Sequence, residues 1–82
     1  MEAATAICQN IASIYNSQGE YGKALEHYQK AVSICLDKEE QNQKQLLGLI
    51  YEDMAKVYEK LGDYEKASHF LQKAEFIKHS KN

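Results

Sequence analysis

Histidine and serine are the side chains of this 82-residue chain that could serve acid–base or nucleophilic catalysis. His27, His69 and His79 are scattered, and none has a carboxylate and a nucleophile at a recognisable catalytic spacing. Serines such as Ser13 and Ser33 lack the glycine-flanked turn of a nucleophile elbow, and the sequence has no glycine-rich phosphate loop. The sequence therefore predicts a chain that is not an enzyme and binds no cofactor.

The two cysteines are the next candidates, as metal ligands. Cys8 and Cys35 each lie on an apolar helical face, without a CxxC pair or a histidine at ligand spacing. A structural zinc site needs four ligands, and this pattern does not supply them. We predict no metal site and two buried, reduced thiols, which suit a cytoplasmic protein.

Composition narrows the class of partner. The net charge is -2 with acids and lysines interspersed, so the chain has no basic stripe for a nucleic acid. It has no long apolar run, so no membrane span is expected, and no secretory signal is visible at its start. With no proline and only four glycines, the chain is expected to be almost entirely helical.

An internal repeat organises these residues. Residues 15–34, YNSQGEYGKALEHYQKAVSI, recur 43 positions later as residues 58–77, YEKLGDYEKASHFLQKAEFI. The identical pairs are Tyr15/Tyr58, Gly19/Gly62, Tyr21/Tyr64, Lys23/Lys66, Ala24/Ala67, Gln29/Gln72, Lys30/Lys73, Ala31/Ala74 and Ile34/Ile77. A fixed period of this size is typical of a repeat architecture.

Apolar residues at helical spacing predict four helices. The first spans 3–17, the second begins near Gly22, the third spans about 43–61 and the fourth about 64–78. Gly19 and Gly62 would end the first helix of each unit in the left-handed conformation, and such tight turns make antiparallel hairpins. The polar segment Asp37–Lys44 would connect the hairpins through a short turn near Gln41–Gln43.

Two sets of residues carry a resemblance to a known family, the tetratricopeptide repeat. They are Gly19-Glu20-Tyr21, Ala24, Tyr28 and Ala31, echoed by Gly62-Asp63-Tyr64, Ala67, Leu71 and Ala74. The resemblance implies an all-α fold of antiparallel helix hairpins, an α-solenoid, with hairpin 1 at 1–40 and hairpin 2 at 41–82 in one domain, a fragment of a longer array. The 43-residue period exceeds the usual 34 and is similar to that of the longer-repeat branch.

The resemblance also implies a function and a site. Family members bind a peptide or helix of a partner protein in a groove lined by the first helix of each repeat, without catalysis. The corresponding positions are Ala6, Gln9, Asn10, Ser13, Asn16 and Ser17, then Leu49, Glu52, Asp53, Lys56, Glu59 and Lys60. The alternative is a structural, capping or self-associating segment of a longer scaffold, with no ligand in its groove. The groove positions are equally compatible with simple solvated helix surfaces.

The tyrosines and phenylalanines complete the expectations. The six tyrosines fall mostly on repeat-core positions, and we interpret them as packing residues. Because repeat arrays generally need about three units, a chain with two is expected to leave an apolar edge open. Phe70 and Phe76 on the fourth helix are the candidates for that edge. We therefore expect the isolated chain to form a homo-oligomer, by a two-fold contact of these faces or by exchange of hairpins through the connector.

Overall fold

Four α-helices make up the computed structural model, which describes residues 3–37 and 41–79. They are α1 (Ala3–Ser17), α2 (Tyr21–Asp37), α3 (Gln41–Leu61) and α4 (Tyr64–Lys78). The described residues contain no strand. The prediction of an all-α chain with four helices is confirmed, and α1 and α4 have the predicted bounds.

The connection between the hairpins differs from its prediction. Gln41–Gln43 form no turn, because they already belong to the first turn of α3. This segment is made mainly of good helix formers and has neither glycine nor proline, so the helix extends further than its apolar pattern indicates. Residues 38–40, where the predicted hairpin 1 ends, lie outside the described residues.

The two hairpin turns are alike and explain why the chain reverses direction. Gly19 and Gly62 have φ angles of 81° and 83°, the left-handed conformation expected of them. In each turn the following residue, Glu20 or Asp63, donates its backbone N–H to a carbonyl five residues earlier, at 2.9 Å. This is the Schellman pattern that closes a helix. The Asp63 carboxylate then caps α4 by accepting from the backbone N–H of Lys66 at 3.3 Å.

Packing follows chain order, since α1 contacts α2, α2 contacts α3, and α3 contacts α4. The molecule is a slab of 34 × 25 × 15 Å. Small side chains fill the places where helices come close, and the buried alanines are Ala12, Ala24, Ala31, Ala55, Ala67 and Ala74. Tyr28, Ile50, Met54 and Val57 are the largest apolar side chains that are fully buried. Among the described residues, no helix is long and apolar enough to cross a membrane.

Candidate partner-binding groove

The predicted groove residues form two rows, one along α1 and one along α3. Their spacing of three and four residues places each row on a single side of its helix. The rows meet near their middle, where Gln9 Nε2 donates a hydrogen bond to Asp53 Oδ2 at 3.5 Å. The structure therefore brings the two rows into contact at Gln9 and Asp53.

Asp53 belongs to the framework of this surface. Burial raises the pKa of its carboxyl group, while the hydrogen bond from Gln9 and the nearby Lys56 ammonium act in the opposite direction. The Tyr28 hydroxyl near the same carboxylate also acts to lower this pKa. Burial, and then the Asp53 charge, raise the pKa of Tyr28 to about 12. Asp53 thus accepts a hydrogen bond from Gln9 on α1 and lies near Tyr28 on α2, so it connects α3 to both helices of the first hairpin.

Two other charged groove residues also contact other helices of the chain. Glu52 forms an ion pair with Lys78 near the end of α4. Lys60 lies over the ring of Tyr21 in α2, with its ammonium nitrogen 6.0 Å from the ring centroid. These side chains stabilise contacts between helices, which reduces their availability to a partner.

Asn16 is half-buried near the end of the α1 row. Its Oδ1 atom is buried and has no hydrogen-bond partner among the described residues. Since a buried acceptor without a donor is costly, Asn16 is the polar group of this row with an unmet hydrogen-bonding requirement.

The remaining groove residues are exposed and differ in character between the helices. The α1 row is uncharged and presents Ala6, Asn10, Ser13 and Ser17. The α3 row presents Leu49, Lys56 and Glu59. Amide and hydroxyl groups can hydrogen-bond an extended peptide or a helix, and Lys56 can meet an acidic group. The chemistry available on this surface is hydrogen bonding and the charge of one exposed lysine.

Sequence reasoning missed an apolar depression of about 410 Å³ on a different part of the molecule. It lies between the C-terminal end of α2, the first half of α3 and residues 69–77 of α4. The lining residues are Leu36, Leu47, Tyr51, His69, Gln72, Lys73, Phe76 and Ile77. The only sequence signal was Leu36, an apolar residue where the repeat family usually has proline. Its neighbours lie far away along the chain, and only the fold brings them together.

Other candidates for chemistry lie in packing positions. Five tyrosines are buried or half-buried, which agrees with the prediction that the tyrosines lie mostly at core positions, and Tyr64 is the exception at 70% exposed. His27 stacks on Tyr15 with ring centroids 5.5 Å apart, and His69 meets the edge of Phe70. Within residues 3–37 and 41–79, no group of three or more His, Cys, Asp or Glu could hold a metal ion.

Both cysteines are free thiols with different exposure. Cys35 is buried and Cys8 is half-buried, so the expectation of burial is met fully only by Cys35. Burial raises the pKa of the Cys35 thiol. A thiol that stays protonated is a poor nucleophile and metal ligand.

The predicted apolar edge requires one correction. Phe76 is 77% exposed, whereas Phe70 is half-buried and packs against the core, where its ring contacts Tyr51 and Tyr58. Phe70 cannot form an open edge because α3 covers it. Self-association of the chain stays a prediction.

Comparison with known proteins agrees with the geometry. Residues 2–75 match the family model of the tetratricopeptide repeat. Searches of the curated proteins and of the solved structures gave no match. The repeats of this family are generally protein–protein interaction modules. Two antiparallel hairpins with matching glycine turns and buried alanines, together with a family match over nearly the whole chain, show that this protein belongs to the tetratricopeptide repeat family.

Proposed function

We propose that the chain is a noncatalytic module that binds a peptide or helix of a partner protein in the groove formed by α1 and α3. The observation that carries this proposal is the Gln9–Asp53 hydrogen bond, which links the two rows. Exposed polar side chains on both sides of that bond supply hydrogen-bonding groups. We place the module in the cytoplasm, since both cysteines are free thiols.

The charge pattern limits the kind of ligand. A peptide in the groove would meet the uncharged α1 row on one side and Lys56 and Glu59 on the other. Glu52 and Asp53 are held by partners within the chain and would be poor contacts. We expect a ligand that carries polar side chains and one acidic group opposite Lys56.

The test is selection of binding peptides from a random library against the full chain. Selected peptides are then titrated against the wild type and against a Lys56→Ala/Glu59→Ala variant. These two residues are exposed, so the variant should keep its fold and lose affinity by roughly tenfold, about 1.4 kcal/mol. Circular dichroism checks that helicity is unchanged.

The matched control is Glu26→Ala/Lys30→Ala, which removes the same two charge types from exposed positions on α2. This control should bind the peptides as the wild type does. Equal affinity for the wild type and both variants, with no peptide-induced change in the NMR signals of Asn10 and Ser13, would show that the groove is not the site.

A second candidate function is structural. The outer helices expose apolar side chains, Ile7 and Ile14 on α1 and Leu71 and Phe76 on α4. This favours a segment that packs against further helical units and holds no ligand in its groove. Assembly without any peptide binding would support the structural function over the groove.

A further inference from the structure

Helix α1 has an outer face unlike that of any other helix in the chain. It contains no charged residue over Ala3–Ser17. Ile7 and Ile14, seven residues apart on one side of the helix, are 55% and 56% exposed. An uncharged helix with two large exposed aliphatic side chains has the composition of a contact surface.

The internal repeat shows what covers the same surface elsewhere. The counterparts of Ile7 and Ile14, 43 positions later, are Ile50 and Val57 on α3, and both are fully buried. Within its own hairpin, each of these helices packs on the second helix: α1 packs on α2, and α3 packs on α4. The difference is that α3 also packs on α2 of the preceding hairpin, whereas α1 has no helix there among the described residues.

The opposite end of the molecule shows the complementary loss. Tyr21 is half-buried beneath Lys60, and Tyr28 is buried beside Asp53, so both α2 residues are covered by α3. Their counterparts on α4 are Tyr64 and Leu71, which are 70% and 40% exposed. Leu71 and Phe76 line an open depression of about 730 Å³ on this outer face.

From this we propose that copies of the chain associate head to tail, with the outer face of α1 in one copy seated on the outer face of α4 in the next. The contact continues the α2–α3 junction that already exists within the chain, with Ile7 and Ile14 in the places of Ile50 and Val57. This inference deepens the structural function and does not depend on ligand binding in the groove.

The same comparison sets the strength of the contact. Ser68 and Glu75 on α4 replace the half-buried Leu25 and Val32 of α2, so less apolar area is buried than at the internal junction. The pair of Leu71 and Asn10 also lacks the polar interaction between Tyr28 and Asp53. Association between copies is therefore weaker than the internal contact and depends on protein concentration.

Symmetry separates this arrangement from a two-fold dimer. A head-to-tail contact uses two different surfaces, so each added copy leaves one of each open. Sedimentation of the full chain over a concentration series should show a mean mass that passes beyond the dimer of 9.4 kDa chains. A two-fold contact through Phe76 would stop at the dimer, and that result would overturn the proposal.

Variants in which glutamates block one of the two outer faces, that of α1 or that of α4, test these surfaces separately. Ile7→Glu/Ile14→Glu should stay monomeric, as should Tyr64→Glu/Leu71→Glu, because each lacks one of the two surfaces. Mixing these two variants should form a dimer that grows no further, since each supplies the surface that the other lacks. Ala6→Glu/Ser13→Glu is the matched control on α1, because the counterpart positions Leu49 and Lys56 stay exposed at the internal junction.

The contradicting results are definite. A wild type that stays monomeric over the whole series overturns the proposal. So does a blocked variant that still dimerises alone, or a mixture that does not pair. Circular dichroism accompanies each sample, and Ile7→Gln/Ile14→Gln replaces the glutamate variant if that variant loses helicity.

Discussion

The ring of Phe70 lies parallel to the ring of Tyr58, with centroids 5.5 Å apart and 6° between the planes. The same ring also meets Tyr51 at 5.7 Å, so one α4 side chain contacts two aromatic residues of α3. Phe76, the only other phenylalanine, points into solvent from the same helix. The aromatic contact between α3 and α4 therefore comes from Phe70 and not from Phe76.

Truncation of the two phenylalanines should separate these roles. Phe70→Ala removes a packed ring from the α3–α4 contact and should lower the free energy of unfolding by about 2–3 kcal/mol. Phe76→Ala, the matched control, should change it by less than about 0.5 kcal/mol. Urea unfolding measured below the concentration at which the chain associates checks both values. Equal effects would mean that Phe70 is not packed as described.

Two glycines should respond to alanine in opposite directions. At Gly48, inside α3, an added methyl group would lie 3.5 Å from Lys78 Cγ and 3.6 Å from Ile77 Cγ2, which is ordinary contact. Gly48→Ala should therefore stabilise the protein by about 0.5–1 kcal/mol. Gly62→Ala forces alanine to a φ of 83° and should destabilise it by about 1–2 kcal/mol. Thermal melting of both variants gives the signs, and destabilisation by Gly48→Ala would show a tighter α3–α4 contact than the structure has.

Overpacking tests the register of the first hairpin. Ala24 is fully buried in the core, so Ala24→Leu should cost about 1–3 kcal/mol. Gln29→Leu adds an apolar side chain at an exposed position of the same helix and should be nearly neutral. Chemical denaturation compares them. An unchanged midpoint for Ala24→Leu would contradict the close approach of helices at this alanine.

Alkaline pH should weaken the fold through Tyr28. Its pKa rises from 10.0 to about 12 on folding, so the folded state holds the phenolic proton more strongly than the unfolded state. The resulting stabilisation is complete below pH 10 and is lost as the pH rises from 10 to 12, at about 1.4 kcal/mol per pH unit. Tyr28→Phe lacks this group, and its stability should fall less steeply over that interval. Parallel slopes for the two proteins in urea unfolding would exclude the effect.

Particular residues show how far the sequence leads. Gly19 and Gly62 predicted the hairpin turns because a left-handed residue is a local property that glycine alone satisfies easily. The start of α3 was misplaced because a polar segment of good helix formers carries no apolar pattern to mark its helix. Local signals thus predicted the number of helices, and failed where a helix continues without an apolar pattern.

The candidate groove was less predictable than the fold. Helical spacing placed Glu52 and Asp53 in the groove row, but spacing cannot show that their side chains reach Lys78 and Gln9 on other helices. Likewise, Tyr21 is half-buried and Tyr64 is exposed, although the sequences around them are similar. That difference arises because α3 packs on α2, whereas among the described residues no further helix packs on α4 in the same way. A contact between hairpins cannot be read from the sequence of either hairpin alone.

The order of packing gives the two rows of the groove different mechanical properties. Helix α3 is held between α2 and α4, whereas α1 packs on α2 alone among the helices with extensive contacts. In a chain of units that contact only their neighbours, local opening begins at the ends, so amide protons of α1 exchange with solvent before those of α3. A ligand would therefore meet one rigid wall and one wall that can shift or fray to accommodate it.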